Sequence, residues 1–157
     1  MRITLVTVGR TDIPWVREGL EMYVSRLEHY VPFTLKEIPE LKGVGSLSQD
    51  QVKAREGEGL LKLVKPSDEL VLLDERGREY RSVEFAQWLE GRMAHSGRDL
   101  VFAIGGAYGF SEAVYSRADA KLSLSKMTFS HQLVRTIFAE QLYRAFTILR
   151  GEPYHHE

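Results

Sequence analysis

The sequence predicts an α/β fold, a mainly parallel sheet with helices on both faces. Two runs, Leu70-Val-Leu-Leu73 and Leu100-Val-Phe-Ala-Ile104, are continuously apolar, as strands covered on both sides are. β-rich runs and amphipathic helical segments alternate along the chain, the order that gives parallel strands joined by helical crossovers. A chain of 157 residues, 43% hydrophobic, suits one domain spanning positions 1–157 with a core of its own.

The first element is a short strand over Arg2–Val8, closed by Gly9. Asp12 is placed to cap a helix with Pro14 in its first turn, where a missing N–H costs nothing. Val16, Leu20, Tyr23, Val24 and Leu27 recur at helical spacing, and Pro32 follows the helix end. Phe33–Ile38 alternates like a second strand, and Gly43–Leu47 reads as loop. Ser48 and Gln51 form a capping box for a helix carrying Val52, Leu60, Leu61 and Val64, weakened by Gly57 and Gly59. Leu70–Leu73 is the third strand, and the charged stretch Asp74–Arg81 reads as loop. Phe85, Ala86, Leu89 and Met93 mark a helix that Gly97 can terminate. The strand Leu100–Ile104 runs into Gly105-Gly106, Ser111 starts a short helix to Arg117, and Lys121–Ser125 is a brief strand. The last helix, His131–Leu149, has an apolar face broad enough to bury against more than one surface, a two-fold partner included.

Composition excludes several classes. With no cysteine there is no disulfide framework and no thiolate-held zinc or iron–sulfur centre, and no pattern suggests another metal site. No apolar run approaches the roughly 20 residues that cross a bilayer, and Met1–Gly9 lacks the flanks of a leader, so a cytoplasmic protein without membrane attachment is expected. Net charge is −1, so no basic footprint announces a nucleic acid. Basic residues gather in the C-terminal third, where any polyanion-facing surface would lie.

In open parallel sheets, ligands bind beyond the carboxyl ends of the strands. Three segments fall there: Leu73–Gly77, Gly105–Gly109 and Leu124–Phe129. Ile104-Gly-Gly-Ala-Tyr-Gly109 is not a dinucleotide fingerprint, because its spacing is G-G-x-x-G and it follows the fourth strand rather than the first. Nor is it a phosphate-binding P-loop, since no Gly-Lys-Ser/Thr closes it. A tight strand-to-helix turn without any ligand stays open on this loop alone.

The loop together with Leu124-Ser-Lys-Met-Thr-Phe129, His131, Tyr143-Arg-Ala145 and the ending Pro153-Tyr-His155 resembles the ribosomal large-subunit pseudouridine N3-methyltransferases (the RlmH family), knotted SPOUT enzymes. The resemblance covers essentially the whole length. It implies a C-terminal trefoil knot, which no periodicity could foretell. It also implies S-adenosyl-L-methionine as cofactor, a homodimer, and methylation of N3 of a pseudouridine in large-subunit (23S) ribosomal RNA on assembled ribosomes. Carried over by position, cofactor contacts fall at Leu73, Gly105, Leu124, Ser125, Lys126, Met127, Thr128 and Phe129, within the three segments that strand order selects.

The attacking N3–H is a weakly acidic imide, so a proton acceptor or an anion-stabilising group would help. His131, Arg135 and His155 are the candidates. His131 also fits a plain helix-start residue, and Arg135, one turn onward, a plain surface arginine. Tyr154, His155 and His156 offer rings that could stack on an unpaired base, whereas a frayed terminus needs none of this. Two other readings stand beside the enzyme: an RNA- or ribosome-binding protein that transfers no methyl group, and a transfer-RNA methyltransferase.

Overall fold

The computed structural model describes residues 1–156. Its elements in chain order are β1 (Ile3–Val8), α1 (Pro14–Leu27), β2 (Phe33–Ile38), α2 (Gln49–Leu61), β3 (Glu69–Glu79), α3 (Ser82–His95), β4 (Leu100–Ile104), α4 (Glu112–Arg117), β5 (Ala120–Ser123) and α5 (Leu133–Leu149). The five strands form one sheet in the order β2-β1-β4-β3-β5, and every pairing is parallel. The predicted fold class holds.

Alternation along the strands distributes the core. Ile3, Leu5, Val71, Leu100, Phe102 and Ile104 meet residues of α1, α3 and α5, such as Leu20, Phe85, Leu89, Phe138 and Leu142. Val6, Leu70, Leu72, Val101 and Ala103 face the other way, onto Leu60 of α2 and Val114 of α4. Both faces of the central strands are therefore covered, which is why their sequences carry no polar alternation. The capping box of α2 forms as expected: Gln51 N donates to Ser48 Oγ (3.1 Å), and Ser48 N donates to Gln51 Oε1 (2.9 Å).

Four local expectations change. Asp12 does not cap α1; the cap position is Ile13, and the Asp12 amide instead donates to Gln132 Oε1 at 3.1 Å, a tertiary tie absent from any local window. Asp74–Glu79 is not loop throughout, because β3 breaks after Leu73, resumes at Arg78 opposite the same residue Leu122, and ends at Glu79. Main-chain pairing is indifferent to the charge on these side chains, so composition hid the strand. β5 ends at Ser123, where Ser123 Oγ donates to Ser125 O (2.8 Å) and the Met127 amide donates to Ser125 Oγ (3.0 Å), turning the chain. α5 starts at Leu133, with Ser130 Oγ accepting from the amides of Gln132 and Leu133.

The broad apolar face of α5 is used within the chain. It packs against both α1 and α3, through Phe138, Ala139, Leu142, Ala145 and Phe146. Its breadth thus needs no second copy. No helix among the described residues is long and apolar enough to cross a membrane.

Candidate active site

The carboxyl edge of the sheet is where strand order sends the loops. β4 lies between β1 and β3, and β5 lies beyond β3, so the segments after β3, β4 and β5 leave the sheet side by side. They enclose a cleft of about 660 Å³, within the usual range for small-molecule sites. Leu73–Arg76 form one wall, Ile104–Phe110 the floor and lip, and Leu124, Ser125 and Met127–His131 the opposite wall.

Each wall is fixed by a specific device. After Leu73 the chain loops out and returns at Gly77, whose α-carbon sits hard against β5. A Cβ there would come within 2.6 Å of the Lys121 carbonyl carbon and 2.7 Å of the Leu122 amide nitrogen, so only glycine fits. The Asp74 carboxylate accepts from the Tyr115 hydroxyl and from the Arg76 amide (2.8 Å). Burial first, then this bond to Asp74, push the Tyr115 phenol up to about 12. Glu75 Oε2 accepts from Thr128 Oγ1 at 2.5 Å, tying the first wall to the third. On the floor, Gly109 N donates to Gly106 O (3.1 Å), closing a tight turn with Gly109 at φ +84°.

The third segment is anchored from its far end. Arg135 is fully buried, and its guanidinium joins the end of β1 and the loop after it to the segment that leads into α5. Nη1 donates to Gly9 O (2.9 Å) and Thr11 Oγ1 (2.8 Å), Nη2 to Val8 O (3.0 Å), and Nε to His131 O (2.9 Å). Burial works to lower its pKa, opposed by Glu37, whose Oε2 lies 3.5 Å from Nη1. Glu37 itself loses by burial but gains more from hydrogen bonds of Thr11 and Arg17, so its carboxyl is held below the ordinary range. Gln132 Nε2 adds a bond to Arg10 O (2.9 Å). The start of α5 is thereby pinned to the end of β1.

A polypeptide whose three loops build a cleft at this edge is matched, over residues 1–155, by the sequence model of a family described as "Predicted SPOUT methyltransferase". The chain belongs to the SPOUT methyltransferase family. It is 54% identical over 157 residues to the ribosomal RNA large subunit methyltransferase H of Parabacteroides distasonis, covering 100% of both chains. The protein of the same name from Bacteroides fragilis is 52% identical over the same full length. Among solved structures, a probable methylase family protein from Haemophilus influenzae Rd KW20 superposes with a TM-score of 0.53 at 13% identity, covering 99% of this chain and 70% of that one; this likeness speaks for the fold.

SPOUT methyltransferases use S-adenosylmethionine, and the cleft meets its requirements. The volume suffices, glycines at 105 and 106 keep the floor low, and Ser125 and Met127–Phe129 lie along one wall. Leu73, Gly105, Leu124, Ser125, Met127, Thr128 and Phe129 all line it, as does His131. Lys126 is the exception: its side chain is exposed, and its ammonium lies 4.0 Å from Glu79 rather than in the cleft.

Two predicted catalytic residues lie elsewhere. Arg135 is not a surface arginine facing phosphate or an imide anion; its guanidinium donates to Val8 O, Gly9 O, Thr11 Oγ1 and His131 O, and it lines no part of the cleft. His155 lies against the C-terminal half of α5, on which the tail folds back, and its Nδ1 accepts from Arg144 Nη1 at 3.0 Å. At 1.5 Å per residue, Arg144 is roughly 20 Å along the helix from His131. The tail is docked rather than frayed. Tyr154 packs edge-on against Tyr143 (4.8 Å between centroids) and donates to Glu140 Oε2 (2.9 Å), and Tyr30 donates to Glu152 Oε2 (2.6 Å). Sequence reasoning missed Lys53, Tyr115 and Val134 in the cleft, because helices α2, α4 and α5 bring them there through tertiary packing alone.

Proposed function

We propose that this SPOUT methyltransferase methylates large-subunit ribosomal RNA at N3 of a pseudouridine, acting on assembled ribosomes in the cytoplasm as a homodimer. The observation that carries the reading is the convergence of Leu73–Arg76, Gly105–Gly109 and Leu124–His131 on one cleft, in a chain more than half identical to a full-length relative named for that RNA. A transfer-RNA substrate has no comparable support among the relatives' names.

When bound, S-adenosylmethionine supplies an electrophilic methyl group on a sulfonium. Leu73, Leu124 and Phe129 would cover its apolar surface, while the main chain of Gly105, Ser125, Met127 and Thr128 would read its polar edges. The chain's task is then alignment of the attacking nitrogen and exclusion of water. His131 lines the cleft and would be the acceptor of the imide proton. Arg135 acts through His131: by holding that residue's carbonyl and the end of β1 together, it sets where the third wall stands.

The knot belongs to the same reading. It is supported by the course of residues 124–132, which cross from the sheet edge at β5 to the Arg10 carbonyl beyond β1 before α5 begins. A partner copy is supported by Trp15 (64% exposed) and Met22, two large apolar residues seven apart on the outer side of α1. Since His155 is held against Arg144, well along α5 from the cleft of its own chain, it reaches a cleft only if a two-fold partner brings it there.

Hydrogen exchange with and without S-adenosylmethionine tests the cleft directly. Protection confined to amides of residues 73–77, 105–109 and 124–130 is expected. Protection elsewhere, or none at saturating cofactor, would end the reading.

A further inference from the structure

Tyr108 is an aromatic residue that the fold leaves without an occupation. It stands at the tip of the turn closed by Gly109 N and Gly106 O, and it lines the cleft while 50% exposed. Among the described residues its hydroxyl has no hydrogen-bond partner and its ring no aromatic neighbour. Tyr115, the other tyrosine of the cleft, differs on both counts: it donates to Asp74, and its ring meets Phe110 edge-on at 5.9 Å. Leaving a large ring half in water gains nothing for folding, and the turn that presents it is closed by its own hydrogen bond.

A cation stands on the same side. Lys53 of α2 lines the cleft, and Glu56, one turn later on the same helix face, has its carboxyl against Gly106, within 2.8 Å of where a Cβ would stand. Lys53 therefore projects beside the glycine turn. Its acidic neighbour is Asp50 at 3.4 Å, whose side chain is almost fully exposed, a pairing weak enough to be exchanged for a phosphate.

The proposed reaction needs an unpaired base at the mouth of the cofactor cleft. A base inside a helix cannot present its N3 edge, so the target nucleotide must leave its stack, and aromatic faces and cations are what hold such nucleotides. We propose that Tyr108 and Lys53 form the subsite of the extruded target nucleotide, the tyrosine ring stacking on the base and the lysine ammonium meeting its phosphate. The inference rests on the RNA-methylating reading above. The cofactor is a poorer occupant for this ring, because the ring sits on the lip of the cleft while the deeper walls are Leu73, Gly105 and Leu124.

The test compares wild type, Tyr108→Ala, Tyr108→Phe and Lys53→Met. Cofactor affinity is measured by calorimetry, and kcat/KM for methyl transfer to unmodified ribosomal large subunits is measured across a salt series. Tyr108→Ala should leave cofactor affinity within about twofold and lower kcat/KM about tenfold or more, with Tyr108→Phe close to wild type. Lys53→Met should lower kcat/KM most at low salt and reduce the log–log salt slope by about 0.7–0.9, the share of one phosphate contact. Equal loss of cofactor affinity in Tyr108→Ala would reassign the ring to the cofactor, and a halved particle mass would reassign it to the partner copy. Unchanged kinetics in Tyr108→Ala, or an unchanged salt slope in Lys53→Met, also overturns the subsite. A wild-type protein that binds the cofactor yet methylates no large subunit sinks the functional reading itself, and the subsite with it.

Discussion

Gly77 is the position where a single methyl group should do most damage to the cleft without touching a lining side chain. Its ideal Cβ would stand 2.6 Å from the Lys121 carbonyl carbon, against the 3.4 Å at which ordinary contact begins, a deficit of 0.8 Å. The Leu122 amide nitrogen (2.7 Å) and carbonyl carbon (2.8 Å) are similarly close, so all three obstacles are main chain and none can rotate away. Relief requires β5 to separate from the returning half of β3. Overpacking of this kind costs about 1–3 kcal/mol. In a chain of 157 residues, each kcal/mol lowers Tm by about 2–4 °C, so Gly77→Ala should lose about 2–12 °C. Because β5 leads directly into Leu124–Phe129, cofactor affinity should fall as well. Differential scanning calorimetry and titration with S-adenosylmethionine measure the two effects. Gly91→Ala in α3 is the control, since nothing lies within 4 Å of its Cβ, and it should gain about 0.5–1 kcal/mol. A Gly77→Ala protein with wild-type Tm and affinity would refute the close-approach reasoning.

Three further outcomes follow from the same geometry. Arg135→Lys keeps a charge but cannot serve the carbonyls of Val8, Gly9 and His131 together, and should cost about 3 kcal/mol or more in denaturant unfolding; intact stability with lost methylation would instead make Arg135 catalytic. Glu56 is raised above its ordinary value of 4.5 by burial and then by Glu40, so the folded protein retains a proton that the unfolded chain releases, and stability falls as pH rises through that window. Glu56→Gln should therefore raise Tm at about pH 7 and leave it unchanged at about pH 3, and a Tm gain that persists in acid would contradict the cause. Deleting residues 153–157 should spare cofactor affinity while lowering ribosome methylation at least tenfold, about 1.4 kcal/mol in barrier, and mixing the truncated protein with a cleft-disabled full-length variant should restore activity through mixed dimers. Wild-type rates from the truncated protein would leave the docked tail with a structural role only.

The fold was legible because its evidence is local. Uninterrupted apolar runs at Leu70–Leu73 and Leu100–Ile104, the capping box at Ser48 and Gln51, and the glycine turn after β4 are all properties of short windows. The three cleft segments followed from strand order, since loops at the carboxyl edge of a parallel sheet converge whatever their sequence. What failed to show was set at a distance. Arg135 reads as a surface residue because nothing near it in sequence announces the carbonyls of Val8 and Gly9, which receive its donors from more than 120 positions away. Lys53 and Tyr115 enter the cleft only because α2 and α4 pack together over β1, β4 and β3. The return of β3 at Arg78 is carried by main-chain pairing and by the missing Cβ of Gly77, and neither leaves a hydrophobic pattern.

Methyl transfer from the cleft at the carboxyl edge to large-subunit RNA can be read out on ribosomes. Ribosomes lacking the modification are incubated with the protein and methyl-labelled S-adenosylmethionine, beside free ribosomal RNA and transfer RNA, and the labelled nucleosides are identified after digestion. Label confined to N3-methylpseudouridine from the large subunit, with ribosomes preferred over free RNA, is the predicted result. Label in transfer RNA, or in another nucleoside, would mean that the cleft serves a different substrate.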